Sequence, residues 1–456
     1  MALRMQPLNL GARATAERQF ISWWVFSALA IVGLLAHLAV AVIAGNHLTT
    51  PLSGGGDVPQ YVTLAENLRN GDGFTYAHTP TAFRPPLYPL LLSAFIWLTP
   101  GHWVVLLHVF QFLVSLATAG VCALLAARWF GRGAGLIALT FALLLPTQLY
   151  FTGEALTECT ASLLGILFLL YLDGAVKTSR VQDWILLGGI AGVASLERFN
   201  AAGLALVAAV VALGWPANGL RHAVTKQNLR SLALLCLSCA TALSPWIAYT
   251  AFAFHGKVLY STHTGFAAVE GVLSPTGRAQ EGESTKISQI LGWNNVSVET
   301  NAPAHPELRD EVALNRQALG VARELWRHVG WRLIPMLGEK VGAFWLSTDQ
   351  ILHISMVSLR NRILRRAGVA GYLVVLTLAV IGWFRLLTLQ PRIARVLFFY
   401  TALLTAIHLP LTMNTRLRSP LFDPLLASLS AGGLLTLALR TEGWCSQNLH
   451  PHVAHS

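Results

Sequence analysis

Three places along the chain put acids and arginines where they could do chemistry. In Ser53-Gly54-Gly55-Gly56-Asp57, three glycines precede an acid, and such a backbone can bend closely around a carboxylate. A short helical pattern follows, with Tyr61, Leu64 and Leu68 on one side. Asp57 therefore has two readings, a helix N-cap or a positioned carboxylate able to take a proton. In Ala82-Phe83-Arg84-Pro85-Pro86-Leu87-Tyr88-Pro89, an arginine stands at the mouth of a short apolar run. It reads either as an interfacial anchor reaching up to headgroups or as a fixed guanidinium aimed at a phosphate. In Thr152-Gly153-Glu154-Ala155-Leu156-Thr157-Glu158, two acids are spaced i, i+4, which predicts one shared helix face. Acids at a helix start also answer the helix dipole. Two carboxylates on one membrane helix are otherwise tolerated when exposed, protonated or sharing a cation or substrate.

The elements that must carry these residues are membrane helices. The 456-residue chain is 54% hydrophobic and only 12% charged, with mean hydropathy +0.55. Soluble domains carry about 25% charged residues, so a water-facing globule, a disordered chain and a collagen are all excluded. Apolar runs near 21–44, 103–127, 134–150, 154–172, 184–197, 200–215, 231–254, 368–384, 396–413 and 420–439 predict about ten spans. The run 86–99 is too short to cross and is expected to lie at the interface or re-enter.

The net charge of +11 is almost all arginine, since lysine stands only at 177, 226, 257, 286 and 340. In a soluble protein it would suggest nucleic acid; here no nucleic-acid partner is expected. The positive-inside bias assigns Arg128, Arg132, Lys177, Arg180, Arg221, Lys226 and Arg230 to cytoplasmic turns, with both termini cytoplasmic. The loop 45–85, the turn at 150–154 and the polar stretch 255–340 then share the external face. Near 323–346 the pattern turns amphipathic, with Trp326, Trp331 and Trp345 among basic residues, which predicts an interfacial helix. Two basic clusters, Arg360 to Arg366 and Arg385 to Arg395, flank one span; the second is placed inside. The expected division is 1–254 for the main transmembrane module, 255–366 for the external loop with interfacial helices, and 367–456 for the last spans and a short tail. Cys236-Leu-Ser-Cys239 has redox spacing but sits in an apolar run without a second pair, and Asn295-Val-Ser297 matches a glycosylation sequon that would be incidental in a bacterial chain, which the dominance of alanine, leucine and arginine suggests.

Taken in order, these motifs resemble the GT-C glycosyltransferases, and within them the branch of protein O-mannosyltransferases and the bacterial lipid A aminoarabinose transferase. The resemblance rests on Asp57 and Tyr61 in the first loop, Arg84-Pro-Pro-Leu-Tyr88-Pro, Leu-Thr-Glu158, Gly188-Gly-Ile-Ala-Gly-Val-Ala-Ser-Leu-Glu197-Arg198, and Asn414-Thr-Arg416-Leu-Arg418-Ser-Pro420. It covers roughly 20–215 well and 396–440 loosely. It implies an all-α polytopic GT-C fold in the bacterial inner membrane. The implied enzyme moves a hexose or pentose from a polyprenyl-phosphate donor to a lipid, glycan or protein acceptor at the periplasmic face. Asp57 matches the acid that deprotonates the acceptor, Arg84 the basic residue that contacts the lipid phosphate, and Glu158 an acid that binds a divalent cation in some members. Tyr61, Tyr88, Glu154, Arg198, Arg416 and Arg418 are expected on the substrate side. Phe83 replaces an acid found in some members, which puts a metal site in doubt, and Glu197 beside Arg198 suggests an internal ion pair.

The chemistry is consistent with this by itself. Phosphate is a good leaving group, so the donor needs cations such as Arg84, Arg416 or Arg418 rather than a strong acid. The acceptor hydroxyl needs one base, worth about 10²–10⁴-fold, and attack opposite the departing phosphate inverts the anomeric centre. A transporter or flippase of a lipid-linked sugar is the competing reading. It too needs arginine at lipid depth, but it does not need an acid on an external glycine loop and is usually built from paired halves or broken helices.

Overall fold

The computed structural model describes residues 28–29, 31–39, 57–76, 78–218, 224–273, 310–346 and 359–449. Helix α1 (Asp57–Asn70) ends in a left-handed Gly71, φ +86°; Gly71 N donates to Leu68 O and Asp72 N to Asn67 O, the paired bonds of a Schellman stop. A two-strand hairpin follows, β1 (Thr75–Tyr76) against β2 (Thr79–Pro80). Helix α2 (Leu87–Leu98) begins directly after Pro85-Pro86 and packs on α1. Its twelve residues are too few to cross a bilayer upright.

Long helices form the body: α3 (Trp103–Phe130), α4 (Arg132–Leu144), α5 (Pro146–Phe151), α6 (Glu158–Thr178), α7 (Val181–Glu197), α8 (Ala202–Ala212) and α9 (Lys226–Ala253). After α9 come α10 (Thr264–Leu273), the amphipathic α11 (Glu311–Val329) and α12 (Leu333–Leu346), then α13 (Leu359–Leu389), α14 (Pro391–His408) and α15 (Thr415–Leu449). Five of these are long and apolar enough to cross a membrane: α3, α6, α9, the Arg366–Leu389 part of α13 and the Thr415–Leu439 part of α15.

The expected runs are adjusted in three places. The run 134–150 is two helices, because Pro146 pushes Leu145 out of the helical region to φ −59°, ψ 126°. The run 154–172 becomes a helix only at Glu158, so Glu154 lies in the preceding turn and the two acids do not share a helix face. The anticipated interfacial helix at 323–346 is divided at Gly330, which takes φ +54°. The run 21–44 falls mostly outside the described residues; its helical part places Gly33 on the Leu143 side chain.

Small residues let the helices approach closely. A Cβ on Gly188 or Gly192 of α7 would run into the Leu235 or Cys239 carbonyl of α9. Cys239 is thus part of a helix crossing, where Ser238 Oγ also donates to Ile185 O (2.7 Å). Gly382 of α13 and Gly433 of α15 meet the carbonyls of Leu429 and Leu378 in the same way. The main buried core gathers residues of α3, α4, α6 to α9 and α12 to α15.

The turns sort into two ends. At one, Gln390 Nε2 donates to Arg128 O (3.2 Å) and Arg395 Nη2 to Ala217 O (2.8 Å), so three arginine-rich turns adjoin. At the other, the hairpin, the turn before α6, α10, α11 and the start of α15 converge on the acids and arginines described below.

Gly433→Val tests the α13–α15 crossing. Overpacking there should cost about 1–3 kcal/mol, read as a lower Tm in detergent; an unchanged Tm would mean that the two backbones separate freely.

Candidate active site

Asp57, Glu158 and Arg416 each stand in the first turn of a different helix: α1, α6 and α15. The acids are placed with the dipole of their helices, whereas Arg416 is placed against its own. The N-terminus of α15 is capped by Asn414, whose Oδ1 accepts from Leu417 N (3.1 Å). Pro420 has no N–H to give the Arg416 carbonyl; Arg198 Nη2 reaches that carbonyl at 3.4 Å instead.

The side chains form an alternating chain of charge. Arg84 Nη2 pairs with Asp57 Oδ1. Arg416 Nη2 pairs with Asp57 Oδ2 (2.9 Å), and Arg416 Nε donates to Glu158 Oε1 (2.9 Å). Arg198 Nη1 completes the row, 3.1 Å from Glu158 Oε1 and donating to Thr157 Oγ1 (2.7 Å). Three guanidiniums and two carboxylates leave one net positive charge. Glu158 is 1% exposed, while Asp57 and Arg416 keep 24% and 26% of their side-chain surface open.

Arg84 is held from several sides. Its Nε donates to Gln60 Oε1 (2.6 Å), and its guanidinium lies 5.6 Å from the Tyr61 ring centre and 5.2 Å from that of Phe83. The strand leading to it is fastened by Glu311 of α11. Glu311 accepts from Thr81 Oγ1 (2.5 Å), Ala82 N (3.1 Å) and Thr262 Oγ1 (2.7 Å). The bonds to the charged form offset part of the burial that raises the Glu311 carboxyl.

Electrostatics set the state of Asp57. Burial pushes its carboxyl up, but Arg84 and Arg416 outweigh burial and hold it well below the usual carboxylate range. Burial and then Arg84 press the His263 imidazole down to about 3, so it is neutral. Burial pushes Tyr61 up to about 12.

The other expected site residues divide. Tyr61 is inside the cluster, edge-on to Tyr88 at 5.3 Å. Tyr88 itself is fully buried, its hydroxyl 3.3 Å from Gln111 Oε1, and serves as packing beneath the site. Glu154 is fully buried in the turn, where its backbone carbonyl accepts from Gln111 Nε2 (2.8 Å). Arg418 does not join the cluster. It is fully buried one face away, with Nε on Asp423 Oδ1 (3.1 Å), Nη1 on Phe344 O (2.8 Å) and Cζ 4.1 Å from the Tyr372 ring centre. Arg198 pairs with Glu158 rather than with its neighbour Glu197, which accepts from Thr160 Oγ1; an extended residue at 198 turns the two side chains apart.

Sequence reasoning passed over Gln60, His263, Glu270 and Glu311. Gln60 carried a usable signal, being on the same short helix as Asp57; the other three lie in or beside a polar stretch with no motif.

A divalent cation does not fit this donor set. Both Asp57 oxygens and Glu158 Oε1 are engaged by guanidiniums, which leaves Glu158 Oε2 as one open oxygen of the row, and a cation there would sit among positive charge. Among the described residues no group of three or more His, Cys, Asp or Glu is arranged to hold a metal.

Residues 83–249 match the model of the dolichyl-phosphate-mannose-protein mannosyltransferase family. That stretch includes Arg84, Glu158 and Arg198 but neither Asp57 nor Arg416. Among solved structures, the chain resembles the archaeal oligosaccharyltransferase AglB from Archaeoglobus fulgidus in complex with an inhibitory peptide and a dolichol-phosphate. Identity is 14%, TM-score 0.53, over 96% of this chain and 53% of that one. The apo form of the oligosaccharyltransferase from the same organism gives 15% identity, TM-score 0.52 and coverage of 92% and 51%. The chain has the GT-C fold. ArnT from Cupriavidus metallidurans bound to undecaprenyl phosphate aligns at 18% identity over 95% of this chain and 82% of that one, with a TM-score of 0.38. No curated protein matches. The chain spans about half the length of the oligosaccharyltransferases it resembles, so what the two have in common is the GT-C helical architecture.

Arg416→Gln removes a partner from both Asp57 and the buried Glu158, whereas Arg84→Gln removes one from Asp57 alone. The expected loss for Arg416→Gln is about 1–3 kcal/mol and larger than for Arg84→Gln, measured as Tm in detergent at one pH. An equal or greater loss for Arg84→Gln would contradict the central place given to Arg416.

Proposed function

We propose that this chain is a glycosyltransferase of the inner membrane of a bacterium. It takes a hexose or pentose from a polyprenyl-phosphate donor and transfers it, with inversion, to an acceptor at the periplasmic face. The observation that carries this reading is the row Arg84–Asp57–Arg416–Glu158–Arg198. It joins one acid that is partly open to a set of guanidiniums with a net positive charge, at a meeting of helix N-termini suited to an anion.

The steps follow from that row. The donor is a phosphodiester with one negative charge and two free oxygens, so it can take bidentate bonds from Arg84 and Arg416 in place of Asp57, and the polyprenyl phosphate that leaves carries more charge for them to meet. As the donor takes these bonds, Asp57 loses the partners that keep it a weak base. The acceptor hydroxyl then gives its proton to Asp57, and its oxygen bonds to the anomeric carbon from the side opposite the phosphate. The bond from that carbon to the phosphate oxygen breaks, and its electron pair stays on the phosphate, where Arg84 and Arg416 stabilise the charge. Glu158 and Arg198 hold Arg416 in line.

The same row accounts for both halves of the reaction, whereas a transporter would need only the phosphate half. The test uses the full chain in nanodiscs with a panel of radiolabelled undecaprenyl-phosphate hexoses and pentoses and cell-envelope acceptors. Asp57→Asn should stop transfer while undecaprenyl-phosphate binding persists. Arg84→Ala should weaken binding of that lipid at least about tenfold, the equivalent of one charge-assisted bond. Normal turnover by Asp57→Asn would refute the base. Unchanged lipid affinity in Arg84→Ala would leave Arg84 as an interfacial anchor. Movement of the sugar-lipid across the bilayer with no transfer would favour the transporter.

A further inference from the structure

Glu270 of α10 lies at the same site but belongs to none of its ion pairs. Helix α10 is wedged between the two stretches that supply the arginines. On one side His263 and Phe266 pack against Phe83, next to Arg84, with ring centres 4.6 and 6.1 Å apart. On the other, Gly271 sits against the Pro410 carbonyl, where any Cβ would clash, in the loop that leads to Arg416. Positions 263, 266 and 270 are spaced i, i+3, i+7 and share one helix face. Val269 is fully buried against Ala318 and Ala322, which fixes the rotation of α10. Glu270 is half-buried and, among the described residues, makes no hydrogen bond or ion pair.

The charges that reach Glu270 are those of Asp57, Arg84 and Arg416, with Asp57 the strongest. His263 is the other titratable group on this face of α10, and it is neutral. The residues of α11 that meet α10 are Asn315, Ala318, Val321, Ala322 and Leu325, while Glu311 at its start is engaged by Thr81, Ala82 and Thr262; the loop beside Gly271 presents Pro410 and Leu411. Burial, then Asp57, push the Glu270 carboxyl up to about 7. It is therefore an uncommitted acid at a site whose proposed base has both oxygens occupied; the other, Glu154, is fully buried and closed to solvent.

The proposed reaction leaves a difficulty that Glu270 answers. After transfer Asp57 carries the acceptor's proton. When the phosphate departs and Arg84 and Arg416 return, they favour the ionised form and expel that proton. We propose that Glu270 is the proton relay of this site, receiving from Asp57 the proton given up by the acceptor hydroxyl and passing it to water. This rests on the reading of Asp57 as base. No electrons move: an O–H bond of the protonated Asp57 breaks, one forms on Glu270, and a second transfer to solvent restores both carboxylates.

The test measures transfer from the radiolabelled undecaprenyl-phosphate sugars by the full chain between pH 5.5 and 9, with expression and Tm of each variant followed in parallel. In the wild type kcat should rise through about pH 7, as Glu270 loses its own proton and becomes able to accept another. Glu270→Gln should lower kcat about 10²-fold, leave the donor KM unchanged and abolish that rise. Glu270→Asp should keep a rise, moved to lower pH, and added formate should restore part of the rate of Glu270→Ala. A Glu270→Gln enzyme with the wild-type rate and pH profile overturns the relay, as does a raised KM at unchanged kcat. If Glu270→Gln does not fold, the Glu270→Asp profile decides, an unshifted limb overturning the proposal. The two readings fail separately: an active Asp57→Asn enzyme removes the base, while an inactive one beside a normal Glu270→Gln enzyme removes only the relay.

Discussion

Everything at the site end of this molecule depends on keeping five ionised side chains, at the ends of apolar helices, paired at once. Isolated charges in such a place cost several kcal/mol each. Alternation solves the problem, because each acid lies between two arginines and Arg416 lies between two acids. The helices contribute as well: Asp57 and Glu158 each meet the positive end of their own helix dipole. Arg416 meets the same end of α15 and would be repelled by it, so its two acids are the condition for its being there. Arg418, in the same first turn, has the same problem and solves it with Asp423, away from the site.

The row also determines how distant segments fold together. Arg84 comes from the approach to α2, Asp57 from α1, Glu158 from α6, Arg198 from the end of α7 and Arg416 from α15. Pro420 contributes indirectly, since the carbonyl it leaves without an i+4 donor is the one that Arg198 meets. Pro424 frees the Pro420 carbonyl in turn, and Gly165 of α6 fits against it because no side chain intervenes. Glu311 binds the hairpin side from above and Lys340 the loop before Arg416, its Nζ donating to Leu409 O (2.7 Å) and Leu411 O (2.9 Å). The arginines are therefore held by the rigid body of the fold, which is what positioning of a leaving group requires.

Much of this was legible in the sequence, and what was not has definite causes. Long apolar runs give helices because a bilayer leaves the backbone no other partner. Asp57, Arg84, Glu158 and Arg416 stand out because each sits in a glycine- or proline-marked motif beside an apolar run. Their pairing is not legible, since partners 27 to more than 250 residues apart have no spacing rule; Arg418 looks equivalent to Arg416 until the helix turns it to another face. The i, i+4 acids were misplaced onto one helix because nothing in Glu154 to Glu158 marks where the helix begins. Glu270 and Glu311 were hidden for a different reason: in a polar stretch an acid is unremarkable, and only the packing of α10 and α11 brings these two inward.

The pairing that makes the charges affordable would also silence Asp57 in the base role proposed for it. A carboxylate with a guanidinium on each oxygen is ionised but reluctant to take a proton, and an enzyme with such a base would be idle. The idleness disappears when another anion takes the same arginines, and a donor phosphate can bond both of them. On this reading the arginines have one role in the empty site and another in the filled one, and the exchange couples donor binding to the activation of the acceptor. Asp57 would then act as a base only with the donor in place, through competition between two anions for Arg84 and Arg416.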